Sequence, residues 1–207
     1  MANTRQRDKA DTASRILDVA ERLMQTRGFN GFSYADVAME LKITTASLHY
    51  HFRGKAELGE ALINRYATRF ATALEGIDDR GGDAQAKLEA YARIYADVLR
   101  RRRMCLCGIL AAEYDTLPKP MREAVVRFFD QNEAWLTGVL ELGVREETLR
   151  LAGSAANAAR AIVSGLEGAM LIARPYGDVD RFEAAAAQLL TSIAGTPSRV
   201  ASRSRGG

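Results

Sequence analysis

Apolar residues recur every three to four positions along most of the chain, which is the period of an amphipathic helix. Short segments that contain Gly or Pro interrupt this pattern. They lie at Gly28, Gly54, Gly81-Gly82, Pro118/Pro120, Gly153, Pro175-Tyr176-Gly177 and Gly195. Val and Ile are too sparse for an all-β chain. The pattern therefore predicts an all-α fold.

The first predicted helix has Thr12 as its N-cap and ends at Arg27, before a glycine in the position of a left-handed C-terminal residue. Its buried face is predicted to hold Ile16, Leu17, Ala20, Leu23 and Met24. The polar residues 1–11 before this helix and residues 196–207 at the other end are predicted to be disordered tails.

Two short helices come next. Ser33 is the predicted N-cap of the second helix, and Thr44 or Thr45 is the predicted N-cap of the third. Their buried positions are Val37, Ala38, Leu41, Leu48 and Phe52. Two short helices joined by about three residues, after a longer helix, form a helix-turn-helix. Residues 12–53 are therefore predicted to form an N-terminal three-helix domain.

Six further helices are predicted in residues 54–195, which would form a C-terminal helical domain. They are placed at about Lys55–Ile77, Asp83–Arg103, Cys105–Asp115, Lys119–Gly143, Ser154–Arg174 and Val179–Ile193. The last two are rich in Ala, Gly and Leu, and small side chains let helices approach one another closely.

Charge is unevenly distributed along the chain. The formal net charge is +3, and residues 1–55 hold nine Lys or Arg against six Asp or Glu, which is the whole excess. A positive bias suits a phosphate-facing module, although solvated helices often show the same bias. The N-terminus lacks the apolar core of a signal peptide and no window has the length of a membrane helix, so we expect a cytoplasmic protein.

Residues 44–52 have the side-chain chemistry of a DNA-recognition helix. Hydroxyls and amides at a helix N-terminus meet phosphates and base edges. Ser47 is placed to reach a base edge, His49 and Tyr50 to bridge to the DNA backbone, and Lys55 to bind a phosphate. Taken alone, these residues equally fit a half-buried helix with ordinary polar side chains.

Two spaced motifs resemble the N-terminal signature of the TetR/AcrR family of transcriptional regulators. They are Phe29-x-x-Phe32-Ser33-x-x-Asp36-Val37-Ala38 and Ile43-Thr44-x-x-Ser47-Leu48-His49-Tyr50-His51-Phe52-x-x-Lys55-x-x-Leu58. The resemblance runs from about Thr12 to Leu62. It implies a homodimer that binds double-stranded operator DNA, a small-molecule effector pocket in the C-terminal helices, and repression that the effector releases.

By position, the resemblance also implies which residues bind DNA. They are Ser33, Thr44, Thr45, Ser47, His49, Tyr50, His51 and Lys55. Phe52 is interpreted as structural, holding the third helix against the first. The sequence departs from the family pattern at Lys42, where many members have Gly and positive φ is expected, and at His49, where many have Tyr.

The last two helices are the predicted dimer interface, which the resemblance implies is an intermolecular four-helix bundle. The proposed faces are Ala155, Ala156, Ala158, Ala159, Ile162, Gly165, Leu166 and Ala169 on one helix, and Phe182, Ala185, Ala186, Leu189, Leu190 and Ile193 on the other. The same small residues equally suit packing within one chain.

An effector pocket is predicted between the fifth, sixth and seventh helices. Its lining would include Tyr91, Tyr95, Cys105, Phe128 and Trp135, an apolar set with a few polar groups. The alternative is that these stripes are simply core. A buried cavity larger than about 300 Å³ would favour the pocket.

Cys105 and Cys107 have three possible interpretations. Zinc needs about four ligands and the two histidines lie at the DNA end, so no metal site is expected. A disulfide is disfavoured because residues two apart on a helix point to different faces. The third interpretation is a reactive thiol at Cys105, favoured by the preceding residues Arg100–Arg103 and by the resemblance of residues 104–113 to a segment in TetR-type regulators that respond to electrophiles or oxidants. A buried, inert cysteine is the alternative.

No catalytic triad, phosphate loop, metal motif or cofactor fingerprint is present, so neither an enzyme nor a cofactor is predicted. The predicted function is a homodimeric repressor that a small apolar or electrophilic effector releases from a palindromic operator. Two alternatives stay open: a cysteine-based sensor without a non-covalent ligand, and an architectural DNA-binding protein without an effector.

Overall fold

The computed structural model describes residues 2–195, with side chains described for residues 10–193. In this range the chain forms nine α-helices. They are α1 (Ala2–Arg27), α2 (Tyr34–Leu41), α3 (Thr45–His51), α4 (Lys55–Asp79), α5 (Ala84–Arg100), α6 (Leu106–Ala112), α7 (Lys119–Arg145), α8 (Ala155–Tyr176) and α9 (Val179–Ile193). No helix of this range is long and apolar enough to cross a membrane. The all-α prediction is confirmed.

Two short elements were not predicted. A 3-10 turn at Tyr114–Thr116 follows α6, and strand β1 (Arg150–Leu151) pairs antiparallel with β2 (Ala194–Gly195). Segments of two or three residues are too short to show a hydrophobic period, so the sequence pattern carried no signal for them.

The start of α1 differs from the prediction. The helix begins at Ala2, so residues 2–11 are helical rather than a disordered tail, and Thr12 lies inside the helix instead of capping it. Residues 2–11 include Ala, Arg, Gln and Lys, which favour helix and extend a helix that is already fixed by its buried face. The predicted tail at residues 196–207 lies outside the described residues.

The caps of α2 and α3 follow the predicted residues. Ser33 and Asp36 form a capping box at the start of α2, and Thr44 caps α3. Lys42 ends α2 with φ 54°, which confirms the expected left-handed conformation at this position. These caps fix where α2 and α3 begin within the N-terminal domain.

One contiguous apolar core joins the N-terminal helices to the C-terminal ones. In the N-terminal part, Ile16, Ala20 and Met24 of α1 are fully buried and pack with Leu48 of α3 in this core. In the C-terminal part, α8 packs extensively on α7 and on α9, and α4 packs on α7. α3, the predicted recognition helix, therefore packs on a core that continues into the C-terminal domain.

Candidate DNA interface and buried polar core

One face of α3 is exposed to solvent. Thr45, Ala46, His49 and Tyr50 lie on it with the spacing i, i+1, i+4 and i+5, and Tyr50 is 69% exposed. Leu48 is fully buried on the opposite side. Hydroxyls, a methyl group and polar aromatic rings are side chains that contact phosphates and base edges.

Ser33 and Thr44 have capping roles in addition to their predicted DNA contacts. The Thr44 hydroxyl accepts the backbone N–H of Ser47 at 3.1 Å. The Asp36 carboxylate accepts the backbone N–H of Ser33 at 2.7 Å, and hydrogen bonds from Ser33 lower the pKa of Asp36. Both hydroxyls are exposed at helix N-termini, where backbone N–H groups favour anions.

The end of α3 is tied to α2 through His49 and Phe52. The His49 ring lies 4.9 Å from the Tyr34 ring, and its Nδ1 lies 3.1 Å from the carbonyl oxygen of Arg53. A carbonyl only accepts, so this contact requires a proton on Nδ1. The Tyr34 hydroxyl donates to the Phe52 carbonyl at 3.1 Å, and Phe52 is buried, which agrees with its structural interpretation.

Arg53 is a candidate DNA contact that the sequence analysis did not single out. Its side chain is exposed just after α3, and its backbone N–H donates to the Glu57 carboxylate at 2.8 Å. A basic residue two positions beyond the end of the recognition helix was the available signal.

The side chain of Lys55, the predicted phosphate ligand, contacts Phe29 and Phe32 of the same chain in this structure. Its ammonium donates to the Phe32 carbonyl and stands 4.6 Å and 4.4 Å from the ring centroids of Phe29 and Phe32. Burial lowers the pKa of Lys55, while the charges of Glu113 and Asp36 act in the opposite direction. Its phosphate contact stays a prediction, as do the DNA contacts of Ser47 and His51, which are half-buried at the edge of the exposed face.

The predicted pocket residues lie in one region of the core, but their own side chains fill the space that an effector pocket would occupy. Tyr91, Tyr95, Cys105 and Phe128 are at most 1% exposed. Trp135 stacks on Tyr91 with ring centroids 5.7 Å apart and donates its Nε1–H to Asp78 at 2.9 Å. None of four grooves identified among the described residues is lined by these five side chains.

A groove of about 400 Å³ lies beside this cluster, between α1, α4 and α5. Its lining combines apolar and charged side chains, with Gln25, Tyr66, Phe70, Ile94 and Val98 alongside Glu21, Arg69, Arg101 and Arg103. Tyr66 belongs to both regions, because its hydroxyl donates to the Cys105 sulfur at 3.6 Å.

Glu167 is a second functional candidate that was not singled out from the sequence. Both of its carboxylate oxygens are buried, and the Cys105 thiol is their one hydrogen-bonding neighbour among the described residues. The carboxylate packs against Gly108, where a Cβ atom would overlap it. Burial raises the pKa of Glu167 to about 7. The available signal was that Glu167 is the one acidic residue in the α8 sequence.

Cys105 does not have the positively charged surroundings that the run of arginines at 100–103 predicts. Burial first, and then the charge of Glu167, raise the pKa of Cys105. Arg100, at the end of α5, instead pairs with Asp97 at 2.7 Å and with Glu183. The expectation that this run favours a Cys105 thiolate is therefore corrected.

Cys105 and Cys107 are free thiols, and burial and the charge of Glu167 also raise the pKa of Cys107. Within the described residues no cluster of His, Cys, Asp or Glu is arranged to hold a metal ion.

Both ends of α6 are hydrogen-bonded to the end of α1 and to the loop that follows it. Before α6, the Met104 N–H donates to the Gln25 carbonyl at 3.1 Å, and Gln25 Nε2 donates to the Met104 carbonyl at 3.0 Å. After α6, the Glu113 carboxylate accepts the backbone N–H groups of Phe29 at 2.6 Å and Asn30 at 3.4 Å. A shift of α6 would therefore displace the end of α1 and the loop that leads into the helix-turn-helix.

Several of the predicted interface residues of α8 lie in the core of the chain, and residues outside the predicted set form an exposed stripe beside them. Ala159, Ile162 and Leu166 are buried within the chain, which fits the alternative of intramolecular packing for them. A neighbouring stripe is exposed. It comprises Ala161, Ser164, Gly168, Leu171 and Ile172, with Leu171 and Ile172 more than half exposed.

Comparisons with known proteins match both parts of the chain. Residues 16–62 match the bacterial regulatory proteins of the tetR family, and residues 84–189 match the tetracyclin repressor-like C-terminal domain. The crystal structure of a TetR-family transcriptional regulator from Agrobacterium tumefaciens is 31% identical with a TM-score of 0.86, and the match covers 90% of this chain and 99% of that one.

Two named regulators are also similar. The transcriptional repressor NemR of Escherichia coli is 27% identical over 191 residues, 89% of this chain and 94% of NemR. The crystal structure of its reduced form gives a TM-score of 0.78 at 26% identity, covering 90% of this chain and 99% of that one. The transcriptional regulator AcuR of Cereibacter sphaeroides is 31% identical over 104 residues, so that match spans about half (48%) of each protein.

Proposed function

The chain belongs to the TetR family of bacterial regulatory proteins, and we propose that it is a homodimeric repressor that binds a palindromic operator and is released by a small effector acting on its C-terminal domain. As a member of this family it is a DNA-binding transcriptional regulator. The observation that carries the proposal is the exposed face of α3, which presents Thr45, His49 and Tyr50 from a capped helix-turn-helix.

Binding to a palindromic operator requires a second copy of the chain, and the exposed stripe of α8 is a suitable surface for it. The exposed stripe of α8 has small residues at Ala161, Ser164 and Gly168, which permit close helix approach, and apolar residues at Leu171 and Ile172. Contiguous exposed apolar surface of this kind is typical of a protein interface. Two-fold symmetry would place the two α3 helices in successive major grooves, roughly 34–36 Å apart.

The buried polar groups of the C-terminal domain favour an effector over a purely architectural role. A carboxylate with two buried oxygens and only a thiol as a hydrogen-bonding neighbour, as at Glu167, is rare in a core that only has to be stable. The bonds from Gln25 and Glu113 to the two ends of α6 supply a route from this region to the DNA-binding helices. An effector that moves α6 would change the spacing of the two α3 helices.

Operator selection from a pool of random duplex DNA tests this function. We expect the purified protein to select an inverted repeat and to bind it as two protomers per site. Selection of a single half-site by a monomer would overturn the homodimer, and failure to select any sequence would overturn the repressor.

A further inference from the structure

α8 presents two side chains to the start of α6. The Glu167 carboxylate occupies the space left by the absent side chain of Gly108, three residues after Cys105. One turn later, Met170 Sδ receives the backbone N–H of Cys105 at 3.2 Å. A buried carboxylate is thus held beside a buried thiol, and the Cys105 side chain is the hydrogen-bonding group that acts on the pKa of Glu167. Such an arrangement costs stability, which points to a functional role.

Within the described residues, the charge of Glu167 raises the pKa of five weak acids. They are Cys105 and Cys107 at α6, Tyr66 on α4, and Tyr91 and Tyr95 on α5, while Glu133 on α7 acts on Tyr91. Burial raises the pKa of Glu167, and the Cys105 thiol acts against that rise. A carboxylate with a pKa of about 7 is suited to accept a proton near neutral pH.

From this arrangement we propose that Glu167 is the general base for Cys105 when its sulfur adds to a small soft electrophile, one with a carbon–carbon double bond conjugated to a carbonyl group. This inference rests on the proposed effector-released function and names both the chemical class of the effector and the group that makes the buried thiol reactive.

The reaction is an addition of S–H across the double bond. Glu167 takes the thiol proton while the sulfur electron pair forms a bond to the β-carbon, and the π electrons move onto the carbonyl as an enolate. The enolate then takes the proton back from Glu167 at its α-carbon. Atoms and electrons balance without an oxidant, and Glu167 returns to its carboxylate form.

The groove between α1, α4 and α5 gives access to this site. Tyr66 lines the groove and its hydroxyl contacts the Cys105 sulfur, so its side chain separates about 400 Å³ of open space from the thiol. A small displacement of the Tyr66 ring admits a planar conjugated molecule. The adduct would then be attached one residue after Met104, whose two hydrogen bonds with Gln25 connect it to α1.

Alkylation of the full-length protein by N-ethylmaleimide tests the proposal. Peptide mass spectrometry gives separate rates for Cys105 and Cys107 between about pH 5 and pH 9. In the wild type we expect the Cys105 rate to rise through about pH 7, the pKa of Glu167. Glu167→Gln should lower this rate by roughly 100-fold at pH 7 and remove that rise. Glu183→Gln, which changes an exposed carboxylate on α9, should leave the rate unchanged.

Each other outcome overturns the proposal. A purely structural role for Glu167 predicts a loosened core in Glu167→Gln and faster labelling of both cysteines. Equal rates and pH profiles in the two proteins, equal slowing at Cys107, or no labelling of Cys105 in the wild type would each contradict a general base. Operator binding of the unmodified proteins is measured in parallel, so that loss of the proposed repressor function is distinguished from failure of the Glu167 mechanism.

Discussion

Glu167 holds an unfavourable buried charge and Lys42 an unfavourable backbone conformation, and we expect each to affect stability measurably. Glu167 keeps a carboxylate in the core with only the Cys105 thiol as a hydrogen-bonding neighbour, and Lys42 adopts a left-handed backbone conformation that favours glycine. The sequence does not predict the energetic cost at either residue, although it does indicate that Lys42 stands at a position of positive φ. Their effects are separable because Lys42 is in the N-terminal domain and Glu167 is in α8.

Glu167 should make the stability of the protein depend on pH. Its folded-state pKa of about 7 lies above the ordinary 4.5, so the folded state binds the proton more tightly than the unfolded chain. Its contribution is therefore most favourable below about pH 4.5, declines as the pH rises to about 7, and is constant above that. This difference corresponds to about 3 kcal/mol of unfolding free energy.

Glu167→Gln should remove this decline. We expect the variant to be more stable than the wild type at pH 8, by at most about 3 kcal/mol, and closer to it at pH 5. Urea unfolding at the two pH values measures the difference. A variant that is less stable at pH 8 would show that the carboxylate has a stabilising partner.

Lys42→Gly should stabilise the N-terminal domain. Glycine adopts φ 54° without the steric cost of roughly 1 kcal/mol that lysine has there. Part of this gain is offset because glycine increases the conformational entropy of the unfolded chain. The matched control is Met39→Gly, because Met39 is 75% exposed within α2, where glycine costs about 1 kcal/mol. Opposite shifts in thermal unfolding are expected. A lower melting temperature for both would contradict the assigned strain.

At the scale of elements, α6 is the link between the C-terminal core and the DNA-binding helices. The carboxylate of Glu113 holds two backbone N–H groups of the loop after α1, and Gly28 in that loop has φ +80° and packs against the same carboxylate. A side chain at Gly28 would be strained and would overlap Glu113. The loop geometry and the end of α6 are therefore fixed together.

Glu113→Ala should loosen this link. Charged hydrogen bonds to backbone N–H groups are worth about 1.5–3 kcal/mol each when well formed, so we expect a lower melting temperature and faster hydrogen exchange at the Phe29 amide. Asp115→Ala changes an exposed carboxylate in the following turn and is the control. Unchanged exchange at Phe29 would contradict the role of Glu113.

The helical elements were largely predictable from the sequence, and the contents of the core were not. Ser33, Asp83 and Ser154 mark helix starts with side chains that accept a backbone N–H, so their signal is local. Glu167 gave no such signal, because its burial depends on Gly108, 59 positions earlier in the chain. The same holds for Lys55, whose contacts with Phe29 and Phe32 arise only when α4 meets the loop after α1.

At the scale of the whole molecule, the exposed stripe of α8 should be the surface that joins two protomers. Ile172→Glu places a charge in this stripe and should give a monomer by light scattering, with weaker operator binding because one protomer contacts one half-site. Val126→Glu, on an exposed position of α7, is the control and should remain a dimer. A dimeric Ile172→Glu variant would place the interface elsewhere.

Binding of the purified protein to the DNA upstream of its own coding sequence, at several salt concentrations, tests the central claim most directly. We expect sequence-selective binding that weakens with salt and that Tyr50→Ala weakens by about 1–3 kcal/mol at unchanged melting temperature, since Tyr50 is 69% exposed. Tyr176→Ala removes a tyrosine that is 64% exposed outside the N-terminal domain and should bind like the wild type. Absence of selective binding at every salt concentration, or equal affinity of Tyr50→Ala and the wild type, would contradict DNA recognition by the exposed face of α3.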